Sequence, residues 1–389
     1  MKVWNGLSGK IEGSVITSGI FDGIHIGHQT LIKKTVKSAK KRGIPSILLT
    51  FHPHPRHALF ILAEKERERL IEELGIDIML YLDFNEIKDL QPERFVQEIL
   101  IETLGMKEIW IGSDHRFGKS QEGDVGLLRK LSGRYDFEVF CMSDVILENE
   151  RVSSSKVKEL LASGRIQEAE RLLGRPYTVN LPVIKGAGRG KGMGAKTVNM
   201  DWPDIFLPRL GVYGVKVKIV HSQQSTVHSE EAKIVNSQQS IVNRQQNTEY
   251  RIQNTEYSKE ESQQSTVNSP QSTVNSKERE TMDNGLWTMD NFDGAELDGI
   301  GNLGRRPTFS ENELLFEVHI LEFSGNLYGK NLSVRFLEWI RDEIKFSSKE
   351  ALSAQIKKDI EKLARRRGDI VSYGGCACGS MEEQRTSNP

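Results

Sequence analysis

Two histidines carry the first chemical signal. In "GIFDGIHIGHQTLI" His25 and His28 flank Ile26 and Gly27, after a β-branched apolar run and before a stretch of helical spacing. A helix start presents unpaired N–H groups and the positive end of the helix dipole, which suits phosphate. Gly27 lets the backbone approach a ligand closely, and either imidazole can donate to a phosphate oxygen. The same spacing also serves zinc ligation or simple helix capping. Three more polar loops sharpen the choice: "TFHPHPR" (Thr50 to Arg56), "IGSDHRFGKSQEGD" (Ile111 to Asp124) and "SSSKVK" (Ser153 to Lys158). Each follows a strand-like run or opens a helix, which is the ligand-bearing edge of a parallel α/β sheet. Their arginines and lysines suit an anion better than a closed set of zinc ligands.

A second chemical stretch is "IKGAGRGKGMGAKTVNM" (Ile184 to Met200), a glycine-rich basic loop. Read as a P-loop, Gly190 to Thr197 misses the pattern by one residue. A P-loop must also feed a helix, and Pro203 and Pro208 forbid one here. A flexible Arg/Gly linker or an RNA-binding tract fits the composition as well.

The elements that must hold these loops follow from periodicity. "SVITSGIF", "SILLTF", "IDIMLYL", "EIWIG" and "FEVFCM" are strand-like. Helical spacing separates them: Leu31, Ile32, Val36 and Ala39, then Phe95, Ile99 and Leu104. This alternation predicts a parallel sheet covered on both faces. Two helices, "SSSKVKELLASG" and "IQEAERLLG", close the first half. Beyond Pro176 the strand-like runs "YTVNLPVI", "GVYGVKVKIV", "LLFEVHILEF" and "KNLSVRFL" are joined by turns, which predicts an antiparallel sheet or barrel. A last helix, "SKEALSAQIKKDIEKLARR", places Leu352, Ile356, Ile360 and Leu363 on one face.

Between Ser222 and Asn291 the grammar fails. "SQQSTV", "QNTEY" and "TMDN" each recur, and the stretch is rich in Gln, Ser, Asn and Thr. It has too little apolar surface to offset the entropy of ordering, so a disordered insertion is expected. The end of the chain, with Cys376 and Cys378, reads as a loose tail.

The 389 residues carry 53 basic and 54 acidic side chains, for a net charge of -1. That balance argues against a chain built to coat nucleic acid. Three cysteines supply no disulfide framework, and no signal peptide or membrane-length apolar run occurs. A cytoplasmic protein without nucleic-acid or membrane partners is expected. The sequence does not set an oligomeric state.

With these motifs in order, the chain resembles prokaryotic bifunctional riboflavin kinase/FMN adenylyltransferase, also called FAD synthetase. "GIFDGIHIGH", "TFHPHP", "GSDHRFG", the serine-lysine loop and "GRPYTV" carry the resemblance in the first half. "LPRLGVYG", "IGNLGRRPTF", "FEVHILEFSGNLYGK" and "IRDEIKFSSKEAL" carry it in the second. The resemblance implies a Rossmann-like nucleotidyltransferase domain over residues 1–175. A six-stranded Greek-key barrel with a C-terminal helix, the riboflavin kinase, would occupy 176–366, interrupted at 222–291 and followed by a tail at 367–389. Riboflavin, FMN and ATP are the implied substrates, Mg²⁺ the implied cofactor, and FMN and FAD the intermediate and product.

Site residues follow from the same resemblance. Gly19, Phe21, Asp22, His25, Gly27, His28, Ser154, Ser155, Lys156 and Lys158 would hold ATP in the first domain, with His28 catalytic. Asp114, Arg116 and Phe117 would bind flavin there. In the barrel, Gly188, Gly190, Gly194 and Thr197 would cradle phosphates, and Thr197 and Asn199 would meet the metal. Glu317 would be the base, chosen over Glu313 and Glu322 by motif match, and Arg341 and Phe346 would cap the flavin. The chain departs from the family pattern in three places. His115 stands for Phe, Ser155-Lys156 for Thr-Arg, and Lys196 for Pro. Two other functions fit the residues at this point: a different nucleotidyltransferase with a binding-only barrel, and an interaction protein that uses the repeats.

Overall fold

The computed structural model describes residues 1–55, 58–185, 197–220, 294–307 and 312–367. The expected disordered insertion, the tail with its two cysteines, and Gly188, Gly190, Gly194 and Lys196 lie outside the described residues.

The first half is a six-stranded parallel sheet in the order β1-β4-β3-β2-β5-β6. Its strands are β1 (Lys2–Asn5), β2 (Ser14–Ser18), β3 (Ser46–His52), β4 (Ile78–Asp83), β5 (Met106–Gly112) and β6 (Glu138–Met142). The central strands are apolar runs because both faces are covered. In β3, Leu48 enters one core while Ile47 and Leu49 enter the other. Helices α1 (Ile26–Arg42), α2 (Glu64–Glu73), α6 (Ser154–Ala162) and α7 (Ile166–Leu173) contribute to the first core. The second is covered by α5 (Val125–Tyr135) and by the π-helix Phe95–Thr103 that continues the short α4 (Pro92–Arg94). The wide winding of that helix, seen in the Leu104 N–H donating to the Ile99 carbonyl, brings Phe95, Ile99 and Leu104 to one buried side. Short α3 (Phe84–Ile87) and a hairpin of β7 (Ile146–Leu147) and β8 (Glu150–Arg151) complete this half. The sequence did not mark β1, whose four residues pair only with β4 at the sheet edge.

The second half is a closed antiparallel barrel in the order β10-β13-β12-β11-β14-β9. Its strands are β9 (Thr178–Ile184), β10 (Thr197–Asp201), β11 (Gly211–Val220), β12 (Leu297–Pro307), β13 (Asn312–Ile320) and β14 (Asn331–Arg341). Strand β10 emerges from what composition alone presents as a glycine-rich loop. Inside the barrel the rings of Phe316 and Phe336 stack 5.3 Å apart, and Trp202 meets both edge-on. Gly301 makes room for this packing, since a Cβ there would lie 2.6 Å from the Phe316 ring.

Sheet and barrel belong to one compact unit, Met1–Glu343. Only Gly174 to Tyr177 separates α7 from β9, and Tyr177 is buried with its N–H bonded to Glu170. One apolar cluster runs from α1, α6 and α7 into the barrel interior. The junction is therefore packed core and not a linker. A second unit starts at Ile344 and contains α8 (Lys349–Arg367), whose start is capped by the Ser348 hydroxyl. No helix among the described residues is long and apolar enough to cross a membrane.

Candidate active sites

The loop after β2 is held in a strained shape. Phe21 and Ile24, neither a glycine, have φ of 52° and 45°, a region that non-glycine residues seldom occupy. Arg175 explains how the loop keeps that shape. Its half-buried guanidinium donates to the carbonyls of Gly23 (2.7 Å) and Ile24 (2.9 Å). Gln29 adds a bond to Ile24 and another to Leu173.

At the end of this loop His25 caps α1. Its Nδ1 accepts from the His28 N–H at 3.3 Å, so its remaining donor is Nε2–H. The two imidazole rings stack 3.7 Å apart, with Phe21 5.2 Å from His28. Burial pushes His25 down to about 4, helped by the Arg175 charge. Burial also holds His28 well below its ordinary range, with His25 and Arg175 adding to the effect. Two neutral imidazoles, the positive end of the α1 dipole and a nearby guanidinium make a positive cradle without a protonated histidine. Gly27 sits tightly under His25: a Cβ would lie 3.1 Å from Nδ1.

Asp22 is a hub. One carboxylate oxygen accepts from the Ile61 N–H at 2.7 Å, and the other pairs with Lys158 at 2.7 Å. The Ser154 hydroxyl donates to the Asp22 carbonyl at 2.9 Å. Both lysines of the serine-lysine loop are matched with acids: Lys158 with Asp22, and Lys156 with Glu150 and Glu159. Ser155 is exposed on the first turn of α6, and Ser153 caps it. Gly19 lies against the Phe21 ring.

The loop after β5 distributes its residues differently. Asp114 is exposed and pairs with Arg151, and Arg116 pairs with Asp124, the cap of α5. Phe117 is buried in the second core, 5.8 Å from Phe95. His115, where the family pattern has Phe, stacks on Phe117 and is pushed down to about 4 by burial.

In the barrel, register assembles a second site. Asn199 on β10 is paired with Glu317 on β13, which is paired with Asn302 on β12. Register partners share a sheet face. The row continues through Val212 to Arg341 on β14. The flanking residues Val198, Met200, Phe316 and Val318 are buried, so the row faces out of the barrel while they fill it. Thr197 is paired with His319 and shares the face of Asn199. Asn302 donates to Glu343 at 3.0 Å, and Glu343 covers Gly304 so closely that any Cβ there would collide. Phe346 lies in the second unit, ahead of α8.

Comparison with known proteins agrees with both halves. The family model for FAD synthetase matches residues 8–156, and the one for riboflavin kinase matches 173–366. The chain belongs to the bifunctional riboflavin kinase/FMN adenylyltransferase family. A relative of that name from Buchnera aphidicola is 28% identical over 361 residues, covering 90% of this chain and 93% of its own. Another, from Escherichia coli, is 26% identical, covering 90% and 91%. A crystal structure described as a macrolide-efflux protein from Streptococcus pneumoniae has a TM-score of 0.68 and 26% identity, over 94% of this chain and 99% of that one.

Within this family chain, three residues escaped the sequence reading. Arg175 and Gln29 hold the loop after β2, and Asn302 extends the Glu317 row. "GRPYTV" carried a signal for Arg175, an arginine ahead of a proline at the junction. Asn302 had none, because its place beside Glu317 depends on the register in which β12 pairs with β13.

Proposed function

We propose that this chain phosphorylates riboflavin to FMN in the barrel and adenylylates FMN to FAD at the parallel sheet. The observation that carries the reading is the Asn199–Glu317–Asn302 row on the barrel, combined with the histidine-capped helix start on the sheet.

In the first step Glu317 accepts the proton of the riboflavin 5′-hydroxyl as its oxygen attacks the γ-phosphorus of ATP, and ADP leaves. Thr197 and Asn199 offer neutral, hard oxygens beside a carboxylate. That set fits Mg²⁺, which takes few protein ligands and several from phosphates. Among the described residues no cluster of three acidic, His or Cys side chains competes as a closed metal site. Bound there, Mg²⁺ would neutralise phosphate charge. Arg341, on the same row, holds the flavin.

In the second step a phosphate oxygen of FMN attacks the α-phosphorus of ATP. The new P–O bond forms as the bond to pyrophosphate breaks. The nucleophile is already an anion, so no base and no covalent protein intermediate is needed. His28, the N–H groups of α1 and Lys158 spread the developing charge. Gly19, Phe21, Gly27, Ser155 and Lys156 complete the ATP side, and Asp114 and Arg116 the flavin side. Phe117 acts from beneath, by packing under that loop. His25 serves first as the cap, with Nε2–H left for phosphate. The test is chromatography of products from riboflavin, ATP and Mg²⁺. FMN followed by FAD is expected; neither product would sink the reading.

A further inference from the structure

Residues 59–61 form a strap beside the adenylyl-transfer site, and three parts of the chain hold it. The Leu59 carbonyl accepts from the Lys158 ammonium at 2.7 Å. The Phe60 carbonyl accepts from the N–H of Phe206 at 2.7 Å. The Ile61 N–H donates to Asp22. Two of these partners belong to the sheet half. Phe206 belongs to the barrel, just beyond β10, the strand of Thr197 and Asn199.

Phe206 also reaches Lys158 directly. Its ring centre lies 5.7 Å from Nζ, within the range of a cation–π contact. The ring is buried, and the Lys158–Asp22 pair beside it is almost closed to water. An ammonium has three N–H bonds. One goes to the Leu59 carbonyl, and the Asp22 carboxylate holds the charge as an ion pair at 2.7 Å, so the ammonium is held between the strap and the loop after β2. The barrel grips the same helix again at its far end, where the Arg209 N–H donates to the Leu161 carbonyl and Trp339 packs on Gly164.

We infer that Phe206 is a positioning residue for adenylyl transfer: a barrel side chain that orients Lys158 and the 59–61 strap toward ATP. The inference rests on Lys158 belonging to the adenylyl-transfer site. It gives the kinase half a structural role in the reaction of the other half.

The full-length protein tests it with two separate assays, FAD from supplied FMN and FMN from riboflavin. Phe206→Leu keeps an apolar side chain but removes the ring face. It should slow FAD formation roughly two- to thirtyfold, the range of a partly desolvated cation–π contact, and leave riboflavin phosphorylation at the parent rate. Phe206→Tyr should restore FAD formation. Combined with Lys158→Ala, the leucine variant should be no slower than Lys158→Ala alone, because both act through one group. If Phe206→Leu does not fold, Phe206→Met replaces it under the same criteria. Parent-rate FAD formation in the leucine variant, equal loss of both activities, or additive losses in the double variant would each overturn the inference. A Lys158→Ala protein as fast as its parent would instead overturn the placement of Lys158 in the site.

Discussion

The imidazoles of His25 and His28 lie face to face, 3.7 Å apart and inclined by 18°, with the amide of one bonded to the ring of the other. Protonating His25 on Nδ1 would remove the cap acceptor and set a charge against its neighbour. The arrangement requires neutral rings.

A pH dependence of stability follows. His25 titrates at about 4 in the folded chain because of burial and Arg175, and near 6.5 when unfolded. As pH falls below about 6.5 the unfolded chain takes up the proton first. This contribution is therefore complete above that pH and is lost between it and about 4. His25→Asn keeps a capping oxygen but nothing that titrates there. Its urea-unfolding free energy should fall less between about pH 7 and pH 4.5, by roughly 2–3 kcal/mol. Parallel pH curves for the two proteins would contradict the assignment.

His28→Ala should stop FAD formation and leave FMN formation from riboflavin nearly intact. The ring stands at the start of α1, on the sheet, while the Glu317 row lies on the barrel. Separate assays on one folded preparation decide it. Equal loss of both activities would count against two sites.

Glu317→Gln should do the reverse. Glutamine preserves shape and the register with Asn199 and Asn302 but cannot take the proton. Riboflavin phosphorylation should drop by roughly 10²–10⁴, while supplied FMN is still converted to FAD. A variant kinase at the parent rate would move the base to Glu322.

Replacing residues 222–291 with a short Gly/Asn turn should preserve both activities. Strands β11 and β12 are hydrogen-bonded neighbours, with Val217 opposite Leu297, so a tight hairpin can join them. A loop about tenfold longer costs on the order of 2 kcal/mol more to close, so the melting temperature should hold or rise. A folded deletion protein unable to phosphorylate riboflavin would show that the segment contributes to the kinase site.

The sequence alone determined the two architectures and placed a histidine pair at a helix start and a glutamate on a barrel strand. Period-2 and helical patterns are local, and so is a histidine at a helix start. Strands β2 to β6, helices α6 and α7, the glycines that end them and the helix α8 were all legible for that reason. Tertiary structure decided how charges and rows are partnered. Lys158 reads as an ATP-binding cation in "SSSKVK", but the loop after β2, far away in sequence, brings Asp22 to it. Phe117 reads as a flavin contact, yet the sheet needed its ring in the core. Arg175 closes a loop some 150 residues earlier, and Asn302 joins Glu317 only through barrel register. Strand pairing and buried ion pairs are set by which surfaces meet once the core closes, and no local pattern in the chain encodes that meeting.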